Sequence, residues 1–281
     1  IRVLVAGKEP IEVVKMGSQW EVPARKNYAA DFAIVRKVLV SMTQAKVLEP
    51  KTANPSLHGR LGVEATTIES SKGVDVLVRA RDAEFNLIFG NIAQGQYRYA
   101  RIVGDNQSWL IDQNPDIPID TSDWLQAEII DIDSGRVKAV TITHPDGETI
   151  TVNKASEERP NFEVVNIPQG RELTYSTVGN GIGGALNDLD SEDVRIAIES
   201  GEAVTTEFTT FDGLSIVTKT IKEDDANWVS LEVTPEETGN NEATEIIGRV
   251  AGWQYQIADY KVNLLTRRQE DILKPLQDEA E

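Results

Sequence analysis

Two histidines, a spaced run of acids and a cluster of glycines are the residues of this chain whose types and spacing could do chemistry. Histidine suits proton transfer near neutral pH and zinc ligation. His58 lies in a loop between Pro55 and Gly59, and His144 lies beside the turn Pro145-Asp146-Gly147. A zinc site needs further His or carboxylates in array, and no H-E-x-x-H spacing occurs. Each His is therefore read as a surface-turn residue. Asp112, Asn114, Asp116, Asp120 and Asp123 occupy the first, third, fifth, ninth and twelfth places of one window, the ligand spacing of a calcium loop. Against calcium, Ile117 stands where that loop needs Gly, Pro115 and Pro118 restrict the backbone, and Asp123 is shorter than the usual Glu. A polar connecting loop over 112–123 explains the same residues, and no metal is assigned. Asp188, Asp190 and Asp193 read as a helix end and a turn.

Gly179, Gly181, Gly183 and Gly184 follow a strand-like stretch and open a helix. In a parallel βαβ unit such a turn binds a dinucleotide. The surrounding pattern is antiparallel, so close packing of that helix on a neighbour is favoured and no cofactor is assigned. No Cys is present, which excludes disulfides, thiolate nucleophiles and Cys-based metal sites. Neither a G-x-S-x-G elbow nor an S-x-x-K arrangement occurs. The expectation is therefore a protein that is not an enzyme, with a hydrolase using unidentified carboxylates as one alternative.

The aromatics offer recognition chemistry. Tyr97, Tyr99, Trp109, Trp228, Trp253 and Tyr255 fall on presumed strands, where alternation sets Tyr97 and Tyr99 on one face and pairs Trp253 with Tyr255. An exposed aromatic face stacks on sugars or grips a protein. Ordinary core packing explains the same residues. Tyr97, Tyr99, Trp109, Trp253 and Tyr255 are the candidate contact residues, for a sugar or a peptide. Arg267-Arg268 is a local basic spot, expected to pair with Glu270 or Asp271.

The elements that must position these residues follow from periodicity. Val3 and Val5, then Ile11 and Val13, alternate about the turn Gly7-Lys8-Glu9-Pro10, a hairpin signal, and Trp20-Glu21-Val22 makes a third strand. Phe32, Val35, Leu39 and Met42 line one face of a helix, with Asn27 as its cap and Asp31 in its first turn. Strands return at 74–78, 85–89, 97–103 and 108–111, and 124–132 reads as a short helix. Hairpins about 137–152, a strand at Phe162 and a helical face of Ile182, Leu186 and Leu189 repeat that order. Gly213 to Val217 matches Gly73 to Leu77, Trp228 to Val233 matches the strand at Phe85, and Asp271-Ile272-Leu273 matches Asp123-Trp124-Leu125. The offset stays near ~145 residues, the mark of a tandem duplication. The fold class expected is α+β: two diverged repeats, 1–135 and 136–281, each an antiparallel sheet with one main helix packed on it. The polar stretch from Glu236 to Glu242 reads as a mobile loop.

In bulk, the 281 residues carry a net charge of -18, a field that repels nucleic acid and anionic lipid. A hydrophobic fraction of 40% can fill a core, yet no apolar run reaches the ~20 residues that span a bilayer. The chain opens at Ile1-Arg2-Val3-Leu4-Val5 without Met, which reads as a strand whose leader has been removed.

Four stretches resemble a known family: Trp20-Glu-Val-Pro-Ala-Arg-Lys-Asn-Tyr-Ala-Ala-Asp31; Lys51-Thr-Ala-Asn-Pro-Ser-Leu-His-Gly-Arg-Leu-Gly-Val63; Asp123-Trp124-Leu125 with Ile129 to Ile132; and Thr141-Ile-Thr-His-Pro-Asp-Gly-Glu148. They are similar to the bacterial domain-of-unknown-function family 4340. That resemblance implies an N-terminal membrane anchor, absent from this chain, with the remainder periplasmic or otherwise outside the cytoplasm. It further implies an accessory role beside ABC-type transport components of the cell envelope. It supplies no catalytic residues. The leading expectation is a non-catalytic binding or scaffold protein, anchored to the inner membrane, with transporter components or another envelope protein as partner. The groove between the two repeats is its expected contact site.

Overall fold

The computed structural model describes residues 1–199, 202–223, 225–235 and 241–275. The chain divides into two compact units, Ile1–Gln126 and a second beginning at Ala127. Each is a mixed, sheet-rich body with few helices, and the sheets are antiparallel. Among the described residues no helix is long and apolar enough to cross a membrane.

In the first unit the Gly7–Pro10 turn joins β1 (Arg2–Val5) to β2 (Ile11–Glu12). A small sheet follows, made of β3 (Val14–Met16), β4 (Gln19–Val22) and β5 (Tyr28–Ala29). Asn27, at φ 63°, turns the chain back along β4 and so cannot cap the helix. Asp31 caps α1 (Phe32–Gln44) instead, its Oδ1 accepting from Ala33 N at 2.7 Å and Ile34 N at 3.3 Å. The helix meets the core along Val35 and Val38, while Phe32 is 62% exposed, so the buried stripe is rotated from the expected one. Then come β6 (Val47–Pro50), α2 (His58–Leu61), β7 (Val74–Ala80), β8 (Ala83–Ile92), β9 (Arg98–Ile102) and β10 (Ser108–Ile111). The strands lie in the order β2-β1-β7-β8-β9-β10-β6. Residues 122–124 form a single 3₁₀ turn and 128–130 a strand, so no helix spans 124–132; the β-branched Ile129 and Ile130 are buried in that strand.

One face of this sheet carries a buried carboxyl group. Asp75 and Asn86 share that face, since Asp75 lies opposite Ile88 and Asn86 opposite Leu77. The Oδ1 atoms of both are buried without a hydrogen-bond partner among the described residues. Burial raises the Asp75 carboxyl above its ordinary value of 3.8, opposed by the charges of Arg2 and Arg101. A carboxyl whose pKa rises on folding favours the fold below the unfolded value and loses that contribution as pH climbs through the folded value. Asp75→Asn is therefore expected to stabilise the protein at neutral pH by about 1 kcal/mol. The gain should shrink toward zero near pH 3.8. Urea unfolding of both proteins across that range checks it, and equal midpoints at pH 7 would refute it.

The second unit contains β11 (Glu128–Ile130), β12 (Val137–Thr143), β13 (Thr149–Asn153), β14 (Glu163–Val165), α3 (Gly179–Gly183) and β15 (Leu189–Ile196). It continues with β16 (Val204–Thr210), β17 (Leu214–Glu223), β18 (Ala226–Pro235), α4 (Asn241–Val250), β19 (Trp253–Ile257), α5 (Asp259–Leu265) and α6 (Gln269–Ile272). Its strands lie in the order β14-β13-β12-β16-β17-β18-β19-β15-β11. The expected helical face of Ile182, Leu186 and Leu189 is buried, but α3 stops at Gly183 and Leu189 already opens β15. A Cβ on Gly183 would stand 2.2 Å from the buried ring of Phe162, so only glycine lets α3 approach it. Of the polar stretch from Glu236, residues 236–240 lie outside the described residues, and Asn241 and Glu242 open α4, where Glu242 binds Arg136.

Candidate binding cleft

Hairpin β17–β18 is the longest pairing in the second unit, registered from Leu214 opposite Pro235 to Glu223 opposite Ala226. Beside it, β19 lies between β18 and β15. An open cleft of about 470 Å³ forms where these strands meet the segment after β15. Ile221 and Leu231 line it with Ile198, Trp253, Gln254 and the pair Lys219–Glu232. Lys219 Nζ lies 2.6 Å from Glu232 Oε1, and both remain exposed. Gln254 builds one wall: its Nε2 donates to Ile198 O at 3.2 Å and its Oε1 accepts from Arg195 Nε at 3.0 Å. Arg195 in turn stacks 4.1 Å from the Trp228 ring and pairs with Glu223. A chain of stacking and hydrogen bonds thus fixes the cleft's polar wall, while Trp253 and the aliphatic side chains give it an apolar surface.

Of the five aromatics singled out by alternation, Trp253 lines this cleft, half-buried opposite Ile196. Trp109 is half-buried in β10 opposite Pro50 and Ala100, and Tyr99 is half-buried in β9 under Lys51, whose Nζ is 5.9 Å from the ring. Tyr97 precedes β9, half-buried. Tyr255 is fully buried, and its hydroxyl donates to Arg249 O at 3.2 Å. It is a core residue with no surface to offer a ligand, because it lies two residues further along β19 than Trp253 and is fully enclosed. Arg195, Lys219 and Glu232 were missed by sequence reasoning. The signal available was the hairpin register, which sets Val217 opposite Glu232 and so brings Lys219 near it on the same face.

A family model described as a domain of unknown function (DUF4340) matches residues 20–209. The chain belongs to this family. No curated protein and no solved structure matches it. The match begins at Trp20, the first residue of the stretches that carry the resemblance, and ends in β16.

The histidines of this DUF4340 chain are buried rather than in surface turns. His58 Nε2 sits 2.9 Å from Asn106 O, and His144 Nε2 sits 3.2 Å from Arg267 O. Each ring fastens a loop to a distant segment, which is why a residue in a turn-rich sequence is enclosed. Arg268 reaches past Glu270 and Asp271 to the hairpin turn, at 2.8 Å from Asp146 and 2.5 Å from Glu148. Glu270 pairs with Arg171 instead. The acids of 112–123 are held singly: Asp112 accepts from Lys46 N at 2.7 Å, Asp116 meets Lys37 at 2.8 Å and Asp120 meets Lys8 at 2.6 Å. Among the described residues no group of three His, Asp or Glu side chains is gathered as a metal site. Two further cations are enclosed. Lys154 donates to Ser134 O at 2.7 Å and Gly135 O at 2.9 Å over the Phe162 ring, and Lys261 donates to Ala185 O at 3.2 Å. Burial lowers the pKa of both.

Proposed function

We propose that this chain is a non-catalytic binding module of the cell envelope, tethered to the inner membrane and made of two diverged copies of one α+β unit. Its cleft beside Trp253 holds an extended segment of a partner protein, a component of an ABC-type transport system being the expected partner.

The duplication is supported by strand order. Read from the opening hairpin, the first unit runs β2-β1-β7-β8-β9-β10-β6 and the second runs β13-β12-β16-β17-β18-β19-β15. Each position is filled by the corresponding strand of its copy, with β6 and β15 both following a helix. Each unit also closes in the same way. Leu125 bridges Ala30 and Leu273 bridges Leu173, while Asp31 N donates to Trp124 O at 2.8 Å and Thr174 N to Ile272 O at 2.9 Å. Trp109 and Trp253 then occupy equivalent places, opposite Pro50 of β6 and Ile196 of β15.

The observation that carries the binding reading is the cleft itself, with its indole, its aliphatic side chains and one cross-strand ion pair. The lining mixes aliphatic side chains with Lys219, Glu232, Glu199, Ser230 and Gln254. Lys219 is engaged with Glu232, and Gln254 with Arg195 and Ile198. That suits a peptide segment better than a sugar, whose recognition needs several unengaged hydrogen-bonding groups around an aromatic platform. Glu232 is tied to Lys219, an arrangement for recognising charge rather than for moving protons. The envelope placement and the transporter partner are supported by the family resemblance alone.

A pull-down of the anchored full-length protein from envelope membranes tests the reading. Transport components should be recovered, and Trp253→Ala should weaken their retention about tenfold, the effect of removing an interface Trp. Recovery of none, or equal recovery with the variant, refutes it. Competition by a free oligosaccharide would replace the peptide with a sugar.

A further inference from the structure

The second unit closes with a segment held by exposed ion pairs over two buried apolar residues, with one buried hydrogen bond from His144 Nε2 to Arg267 O at 3.2 Å. Arg268 clasps Asp146 and Glu148 of the β12–β13 turn, Glu270 pairs with Arg171 at 2.8 Å, and Lys274 pairs with Glu172 at 2.7 Å. Hydrogen bonds from backbone amides run alongside: Gln269 N donates to the Glu148 carboxylate Oε1 at 2.6 Å, Thr174 N to Ile272 O, and Lys274 N to Glu172 O at 2.8 Å. Underneath, the buried Ile272 and Leu273 lie beside the paired strands β13 and β14 and the segment after them, near Ile150, Val164 and Pro168. The matching segment of the first unit is held differently. There a fully buried indole, Trp124, is enclosed, and its Nε1 donates to Pro118 O at 3.2 Å.

We propose that residues 266–275 form a releasable strap, which opens as one piece while the nine-stranded sheet stays intact and so uncovers the apolar surface of the paired strands β13 and β14 beneath it. Two features support it. The strap adds only an isolated bridge, Leu173 to Leu273, to the sheet, whereas β17 and β18 are paired along their whole length. In each of its ion pairs at least one partner is well exposed, so salt screens them, while the apolar pairings of the sheet are insensitive to screening. Segments with few ladder bonds and exposed fastenings open below the global unfolding free energy.

Native-state hydrogen exchange on the full chain tests this. The amides of Thr174, Gln269 and Lys274 should exchange together, faster than those of Val229 and Ile216 in the sheet. Raising the ionic strength should speed them about fivefold, and Arg268→Ala should reproduce that acceleration at low salt. Exchange of these three amides at the rate of the sheet, or a rate that ignores both salt and the Arg268 substitution, overturns the proposal.

Discussion

Trp124→Ala is expected to destabilise the first unit by about 3–5 kcal/mol, the range for removing a fully enclosed aromatic side chain. The indole is completely buried, and its Nε1–H is satisfied by Pro118 O at 3.2 Å. Its own carbonyl accepts from Asp31 N at 2.8 Å, and the next residue bridges Ala30. Asp31 is also the cap of α1, so the side chain that closes the unit sits beside the start of its longest helix. Truncation leaves a cavity, an unpaired Pro118 carbonyl and a loosened helix start. Trp124→Phe keeps most of the apolar volume and should cost about half as much. Urea unfolding measures both. A Trp124→Ala midpoint equal to that of the unaltered protein would remove this residue from the closing contact.

A buried apolar pair after an acid, Trp124-Leu125 after Asp123 and Ile272-Leu273 after Asp271, was legible because it is a local pattern. The opening hairpins were legible for the same reason: alternation about Gly7–Pro10 and Pro145–Gly147 is read directly from neighbouring residues. Long-range pairing was not legible: that β1 lies beside β7 and β6 beside β10 depends on residues far apart in the chain, which no local spacing marks. Helix limits failed where tertiary contact outweighed periodicity. Leu189 sits at helical spacing from Ile182 and Leu186, yet it belongs to β15, paired with Ile130.

The candidate site was half legible. Trp253 stood out by type, but its partners come from β15, β17 and β18, and no local spacing marks Lys219, Glu232 or Arg195. Tyr255 shares its strand face with Trp253, and alternation alone cannot tell that one is at the rim and the other under it. The histidines show the same limit. A turn-rich context suggests exposure, yet a carbonyl far along the chain encloses each ring.

The other large effect is expected at Gly90, where a substitution meets backbone rather than side chain. A Cβ built there would stand 2.2 Å from Leu61 O and 2.7 Å from a Val63 methyl. Leu61 closes α2, and the segment after it lies across β8: Asn91 Nδ2 donates to Arg60 O at 3.2 Å and Arg101 Nε to Val63 O at 2.8 Å. A carbonyl cannot turn aside as a side chain can, so Gly90→Ala must lift 58–63 off the sheet or distort β8. The expected cost is about 3 kcal/mol, at the upper end of overpacking. Amides of 58–63 should exchange faster as His58 loses Asn106. Gly248→Ala is the contrasting case, since that glycine lies within α4 with open space around its Cβ position. It should stabilise by about 0.5–1 kcal/mol, because Ala loses less backbone entropy than Gly in a helix. If both substitutions shift the unfolding midpoint alike, close approach at Gly90 is not what holds α2 against the sheet.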